Sequence, residues 1–216
     1  MLTLVEAIDN IYKDGKGLTD DQAKTLIEIS RQNLESSEKQ IYRRFLVILI
    51  IWLVFFGITK DIFSEVSFLS IKFNDLKSIL WILPLPIGAI YYAMLTSIWG
   101  WGMYRHTLKC LLKHHYKQFY DGDLEDLMLP PSFLAAELIA AQRLKKGTAK
   151  IFIGLWAFAL FCMALLVPFM CLAHVSYVTL TYEVGPLWLR LFGVLLSVVI
   201  SLRGIIFLFA NINKTL

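Results

Sequence analysis

The sequence predicts an all-α membrane protein of four transmembrane helices with cytoplasmic helical extensions. Three observations lead there. The 216 residues are 57% apolar and only 18% charged, whereas a soluble domain averages about 45–50% and about 25%. Four stretches are uncharged, or nearly so, over the roughly 20 residues that cross about 30 Å of hydrocarbon at about 1.5 Å per residue. The lysines and arginines behind the formal charge of +4 gather beside those stretches, as topology signals do, and form no continuous nucleic-acid surface.

Residues 1–41 read as two helices ahead of the first span. Leu4, Val5, Ile8 and Ile11 make one apolar stripe, which Gly15 and Gly17 break. Thr19 restarts the helix. With Gln22 three positions on it forms a capping box, and Ala23, Leu26, Ile27, Leu34 and Ile41 carry a helical stripe toward the membrane. This helix is expected to continue unbroken into the first span. The segment mixes acids and bases and has no basic start followed by an apolar core, so no cleavable signal peptide is expected. The first span is then its own insertion signal.

The first transmembrane hairpin, residues 42–104, places spans at about 43–63 and 78–104 around an outer loop at 64–77. The uncharged part of the first span, Phe45–Thr59, is short. Tyr42, Arg43 and Arg44 extend it on one side and Ile62 and Phe63 on the other, with Arg43, Arg44 and Lys60 snorkelling. In the second span Pro84 and Pro86 are expected to break or kink the outer third. Together with Pro168 in the third span they are the hinge candidates. The loop at 105–150 opens with a helix, Arg105–Tyr120, passes an acidic turn at Asp121–Asp126, and restarts after Pro130 and Pro131 as a second helix, Ser132–Lys146, that stops at Gly147. The second hairpin, residues 151–212, has spans at about 151–174 and 187–210 and an outer loop at 175–186, and residues 213–216 form a tail. Ser64–Phe73 and Ser176–Val184 are rich in β-branched and aromatic residues in partial alternation. A small extracytoplasmic β cap and irregular loops on the headgroups are equal readings of them.

Orientation follows from the basic residues. Lys13, Lys16, Lys24, Arg31, Lys39, Arg43 and Arg44 precede the first span, and the central loop carries Arg105, Lys109, Lys113, Lys117, Arg143, Lys145, Lys146 and Lys150. The two other loops offer only Lys60, Lys72 and Lys77. Both termini and the central loop are therefore expected in the cytoplasm.

Arg203, inside the fourth span, is the leading candidate for function, because an intramembrane charge usually faces protein, water or a partner. No acid lies deep in any span to pair with it. Thr96, Ser97, Ser197, Ser201, carbonyls freed by the prolines and lipid phosphate are its candidate partners. The competing reading ends the span at Arg203, which snorkels while Gly204–Ile212 lies along the inner surface. Arg105, Lys109, Lys113 and Lys117 recur every four residues and make one basic helix face. That face suits a contact with anionic lipid, a nucleotide or a partner. A simpler account is a juxtamembrane helix resting on acidic headgroups at about 1 kcal/mol per basic residue.

His106, Cys110, His114 and His115 outline a metal site or pH sensor, but lysines and an arginine flank them and no carboxylate supports them before Asp121. Modulation of headgroup contact by the histidines suits them better than a metal. Cys110, Cys162 and Cys171 lack CxxC spacing. Asn10–Asp21 resembles a calcium loop only in outline. With Gly15 at the sixth position, Tyr12 and Lys16 fall on ligand positions and Asp21 stands where a glutamate belongs. No G-x-x-x-x-G-K-[ST], H-E-x-x-H or G-x-S-x-G occurs. No catalytic residue, metal ligand or cofactor is assigned, and an enzyme is not expected. Trp81, Tyr91, Tyr92, Trp99, Trp101, Tyr104, Trp156 and Trp188 read as interfacial anchors. Gly100, Gly102, Gly154, Ala157, Ala159, Gly193, Ser197, Ser201 and Gly204 supply small surfaces for helix packing, within the chain or between copies.

Four features taken together carry a resemblance: the acidic and basic helical N-terminus through Arg44, the long first helix, the proline-broken stretch from Phe63 through SFLSIKFNDLKSILWILPLP to Pro86, and the charged central loop. In the layout of the whole chain the sequence resembles the small multi-span membrane proteins of bacterial anti-phage defence systems, such as the transmembrane effectors of retrons and the membrane component of Kiwa. The resemblance implies a multi-pass protein of the bacterial inner membrane that senses or perturbs the membrane, restrained by a cytoplasmic protein or ribonucleoprotein and released on infection. Membrane lipids and further copies of the chain are the other expected partners, with no direct nucleic-acid contact. Two alternatives stand beside it: a small channel or transporter subunit with Arg203 lining an anion path, and a non-catalytic membrane scaffold.

Overall fold

A computed structural model describes residues 17–60, 66–68, 71–73, 80–116, 148–181 and 186–215, with Asn10. Four long helices dominate them: α1 (Asp20–Thr59), α2 (Pro84–His115), α3 (Thr148–Thr181) and α4 (Leu187–Thr215). Each contains a stretch long and apolar enough to cross a membrane. The protein is a multi-span helical membrane protein. Between α1 and α2, β1 (Val66–Phe68) and β2 (Ile71–Phe73) pair antiparallel, with Ser67 opposite Lys72. The expected helices at the N-terminus before Gly17 and at Ser132–Lys146 lie outside the described residues.

One expectation is corrected. Ser176–Thr181 is neither strand nor irregular loop but the last part of α3. Val175, Ser176 and Thr179 face the interior at 0, 7 and 3% exposure, and Thr181 Oγ1 donates to the carbonyls of Tyr177 and Val178. Packing and the need to satisfy the backbone internally override β propensity there. Of the break or kink expected at Pro84 and Pro86 the structure shows the break, and the prolines begin a helix. A 3₁₀ turn occupies Leu80–Ile82 and α2 starts at Pro84. Both prolines fall in the first turn, where a backbone N–H has no helical acceptor anyway. Pro168, by contrast, lies within α3.

The chain divides into two compact units, one of residues 1–40, 97–161 and 209–216, the other of residues 41–96 and 162–208. In the first unit the capping box forms as expected: Thr19 N–H donates to Gln22 Oε1 at 3.1 Å and Gln22 N–H to Thr19 Oγ1 at 3.4 Å. Gly17, at φ +47°, delivers the chain to that cap. Its core is Leu34 of α1 against Leu108 and Leu112 of α2, with Ile27, Trp101, Tyr104 and Tyr116 packed around them. At the edge of this core His115 Nε2 meets Asp20 Oδ1 at 2.9 Å. The C-terminal end of α2 thus holds the N-terminal start of α1, an arrangement that complements both helix dipoles.

In the second unit the helical stretches 41–59, 80–96, 162–181 and 187–208 each come close to the roughly 20 residues that hydrocarbon requires. Thr179 Oγ1 donates to Leu80 O at 3.5 Å and Tyr91 Oη to Leu165 O at 3.1 Å, so α2 and α3 run antiparallel. A Cβ on Gly193 would lie 3.0 Å from Trp81 O, one on Gly88 3.0 Å from Ser197 O, and one on Gly204 3.0 Å from Tyr92 Cδ2. The residue numbers rise together on both helices, so α2 and α4 run parallel. Alternating directions along α2, α3 and α4 are what successive membrane crossings demand. The outer faces remain apolar: Leu46, Ile50 and Leu53 on α1 are more than half exposed, as are Trp188, Phe192, Leu195, Val199, Ile206 and Phe209 on α4. Water would not tolerate such continuous apolar faces, and lipid favours them.

Candidate functional site

In a bundle of this kind the polar groups carry the information, because each must find a partner in a medium without water. Among the described residues Arg190, not Arg203, is the buried arginine, at 8% exposure. It stands in the first turn of α4 and its Nη1 donates to Leu180 O at 3.2 Å. Leu180 belongs to the last turn of α3, whose carbonyls have no helical donor and carry the negative end of the helix dipole. The guanidinium therefore caps α3.

Arg203 lies on the exposed side of α4. Its intended partners are occupied or face elsewhere. Ser197 and Ser201 belong to the buried seam, at 0 and 2% exposure, and Ser197 Oγ donates to Val194 O at 2.8 Å. Thr96 Oγ1 donates to Ala93 O at 2.7 Å, and Ser97 Oγ to Gln40 Oε1 at 3.5 Å in the first unit. That same Ala93 carbonyl also accepts a hydrogen bond from Arg44 Nη1. Arg44 is half-buried.

Tyr91 is no interfacial anchor. It is 3% exposed, and its hydroxyl reaches the Leu165 carbonyl, three residues before Pro168. A proline ring removes the N–H that would bond the carbonyl four residues back and distorts the adjoining turn. Tyr91 adds a donor in the turn before Pro168, on the carbonyl next to that of Ala164, which the proline leaves without its helical donor. Replacing it with phenylalanine is expected to cost about 1 kcal/mol, with faster hydrogen exchange confined to α3 around Pro168. An unchanged unfolding midpoint in micelles would remove this brace from the account.

One pair escaped the sequence altogether. Trp52 Nε1 donates to His174 Nδ1 at 3.2 Å, and the His174 ring meets the edges of Trp52 and Phe55 at 6.1 and 6.2 Å. Because an indole nitrogen only donates, His174 Nδ1 accepts and a neutral ring carries its proton on Nε2. The two residues lie on different helices, so no local spacing signals them.

The basic face on α2 is not uniform. Arg105 stacks over the Trp101 ring at 5.4 Å, Lys109 is partly covered, Lys113 is exposed, and Lys117 lies outside the described residues. His106 Nε2 and Cys110 Sγ are 4.0 Å apart, His114 is exposed, and His115 holds Asp20. Among the described residues no three histidine, cysteine or acidic side chains converge as a metal site would require. No protein-family model, curated protein or solved structure matches the chain.

Proposed function

We propose that this protein is a regulated membrane component, an effector or sensor of a bacterial defence system, in which the first unit takes a cytoplasmic partner and the second acts in the inner membrane. Helix continuity is the observation that supports it. The division between the units falls inside α1, α2, α3 and α4, and no helix is interrupted there. A partner bound at the start of α1 would act on a helix that carries its own apolar span. The basic-residue pattern supports a cytoplasmic first unit, with both termini.

The channel reading is less well supported. Arg203, which motivated it, is on the outside of the single chain, and Ile48, Phe55, Ile87, Met94, Leu95 and Leu172 fill the interior of the second unit at 2% exposure or less. Membrane potential and propidium uptake in bacteria producing the chain, beside a variant lacking residues 1–40, test the proposal. Rapid depolarisation is expected, strongest in the truncated form because it lacks the restraining unit's Leu34 core. Unchanged potential in both, at equal amounts in the membrane, would replace an effector with a scaffold.

A further inference from the structure

We infer that Arg203 and Arg43 form an anionic-lipid site, a pair of guanidinium groups set at one level of the bundle to hold phospholipid phosphates. Their level is fixed by α2. Arg44, next to Arg43, donates to Ala93 O, and Gly204, next to Arg203, closes on Tyr92 and Leu95, with a Cβ there 2.9 Å from Leu95 Cδ1. Residues 92–95 are one turn of α2, so the charged positions of α1 and α4 share a depth. That depth is where the uncharged part of α1 begins, at Phe45.

Burial and charge then select the ligand. Of the four arginines in this unit, Arg190 caps Leu180 and Arg44 bonds Ala93. Arg43 and Arg203 are exposed and make no hydrogen bond or ion pair with a described residue. The stretches 41–59, 80–96, 162–181 and 187–208 contain no aspartate or glutamate, so the bundle itself offers no counter-charge. Around Arg203 the exposed neighbours are Val199, Leu202 and Ile206, at 60, 49 and 66%, which are surfaces for acyl chains. A guanidinium surrounded by acyl chains is best satisfied by a phosphodiester that accepts two parallel N–H bonds. A zwitterionic lipid brings its own cation to that phosphate, whereas an anionic lipid leaves it free. The site therefore favours anionic headgroups.

This inference is independent of the effector reading. Its test is electron spin resonance on the full chain in phosphatidylcholine nanodiscs, comparing motionally restricted spin-labelled phosphatidylglycerol with spin-labelled phosphatidylcholine. The expected result is a preference for phosphatidylglycerol that falls about fivefold in Arg203→Gln, the equivalent of ~1 kcal/mol per basic residue. It should fall further in Arg43→Gln/Arg203→Gln and be partly retained in Arg203→Lys, which keeps the charge and guards against a folding artefact. A wild-type chain without preference would overturn the inference. So would a preference unmoved by Arg203→Gln but abolished by Lys109→Gln/Lys113→Gln, which would move anionic-lipid binding to the α2 face.

Discussion

Gly88→Val is expected to be the most damaging single substitution in the membrane-crossing part of the protein, lowering stability by about 3 kcal/mol or more, at or above the upper end for overpacked cores. The reason is what a side chain would meet. A Cβ at Gly88 would stand 3.0 Å from Ser197 Cβ, 3.0 Å from Ser197 O and 3.1 Å from Ser197 Cα. Two of these atoms are backbone, so no rotamer change relieves the contact and α2 and α4 must separate. Separation also opens the approaches at Gly193 and Gly204, where the fit is equally close. Helices in lipid associate through such van der Waals contact, because hydrocarbon supplies no hydrophobic drive between them. Gly102→Ala is the matched control: its Cβ would meet nothing within 4 Å, and loss of a flexible glycine in a helix should stabilise by about 0.5–1 kcal/mol. Denaturant titration in micelles reads both. Equal midpoints for the two variants would show that the α2–α4 seam is not under packing strain.

Leu108→Ala is expected to have the largest effect in the first unit, about 2–5 kcal/mol. Leu108 is fully buried, and together with Leu34 and Leu112 it forms the apolar core of that unit among the described residues. A core this small has little with which to fill a cavity. Trp101 and Tyr104, the larger neighbours, are held on the same helix, with Trp101 also under the Arg105 guanidinium. Loss should appear as faster amide exchange over the start of α1, around Thr25–Leu34, with the amides of α4 unaffected. Uniform exchange across both regions would instead indicate that the chain unfolds as one cooperative block.

Much of the fold was legible because hydropathy and capping are properties of single residues and short windows. The capping box at Thr19 and Gln22, the break before Pro84 and the four apolar stretches depend only on what stands next to what along the chain. Where a signal was ambiguous, packing decided. Ser176–Thr181 has the composition of a strand, yet Ser176 and Thr179 are buried on a helical period with Val175, and Thr181 Oγ1 donates to helical carbonyls one turn back. Trp101 and Tyr104, read in sequence as interfacial anchors, also pack around Leu34, Leu108 and Leu112. An aromatic side chain suits both surroundings, and nothing local distinguishes them.

The sequence by itself determined that this chain crosses a membrane, and how many apolar helices it has for doing so, because the cost of exposing backbone and charge to hydrocarbon is read from length and composition. Only the tertiary structure decided which polar groups meet. It buried Arg190 against Leu180 and left Arg203 facing outward, turned Tyr91 inward to Leu165, and joined Trp52 to His174. Each of those outcomes is a pairwise distance between residues far apart in the chain, set by helix direction and register. Both are fixed by close contacts such as Gly88 on Ser197, which leave no mark on the local pattern of either helix.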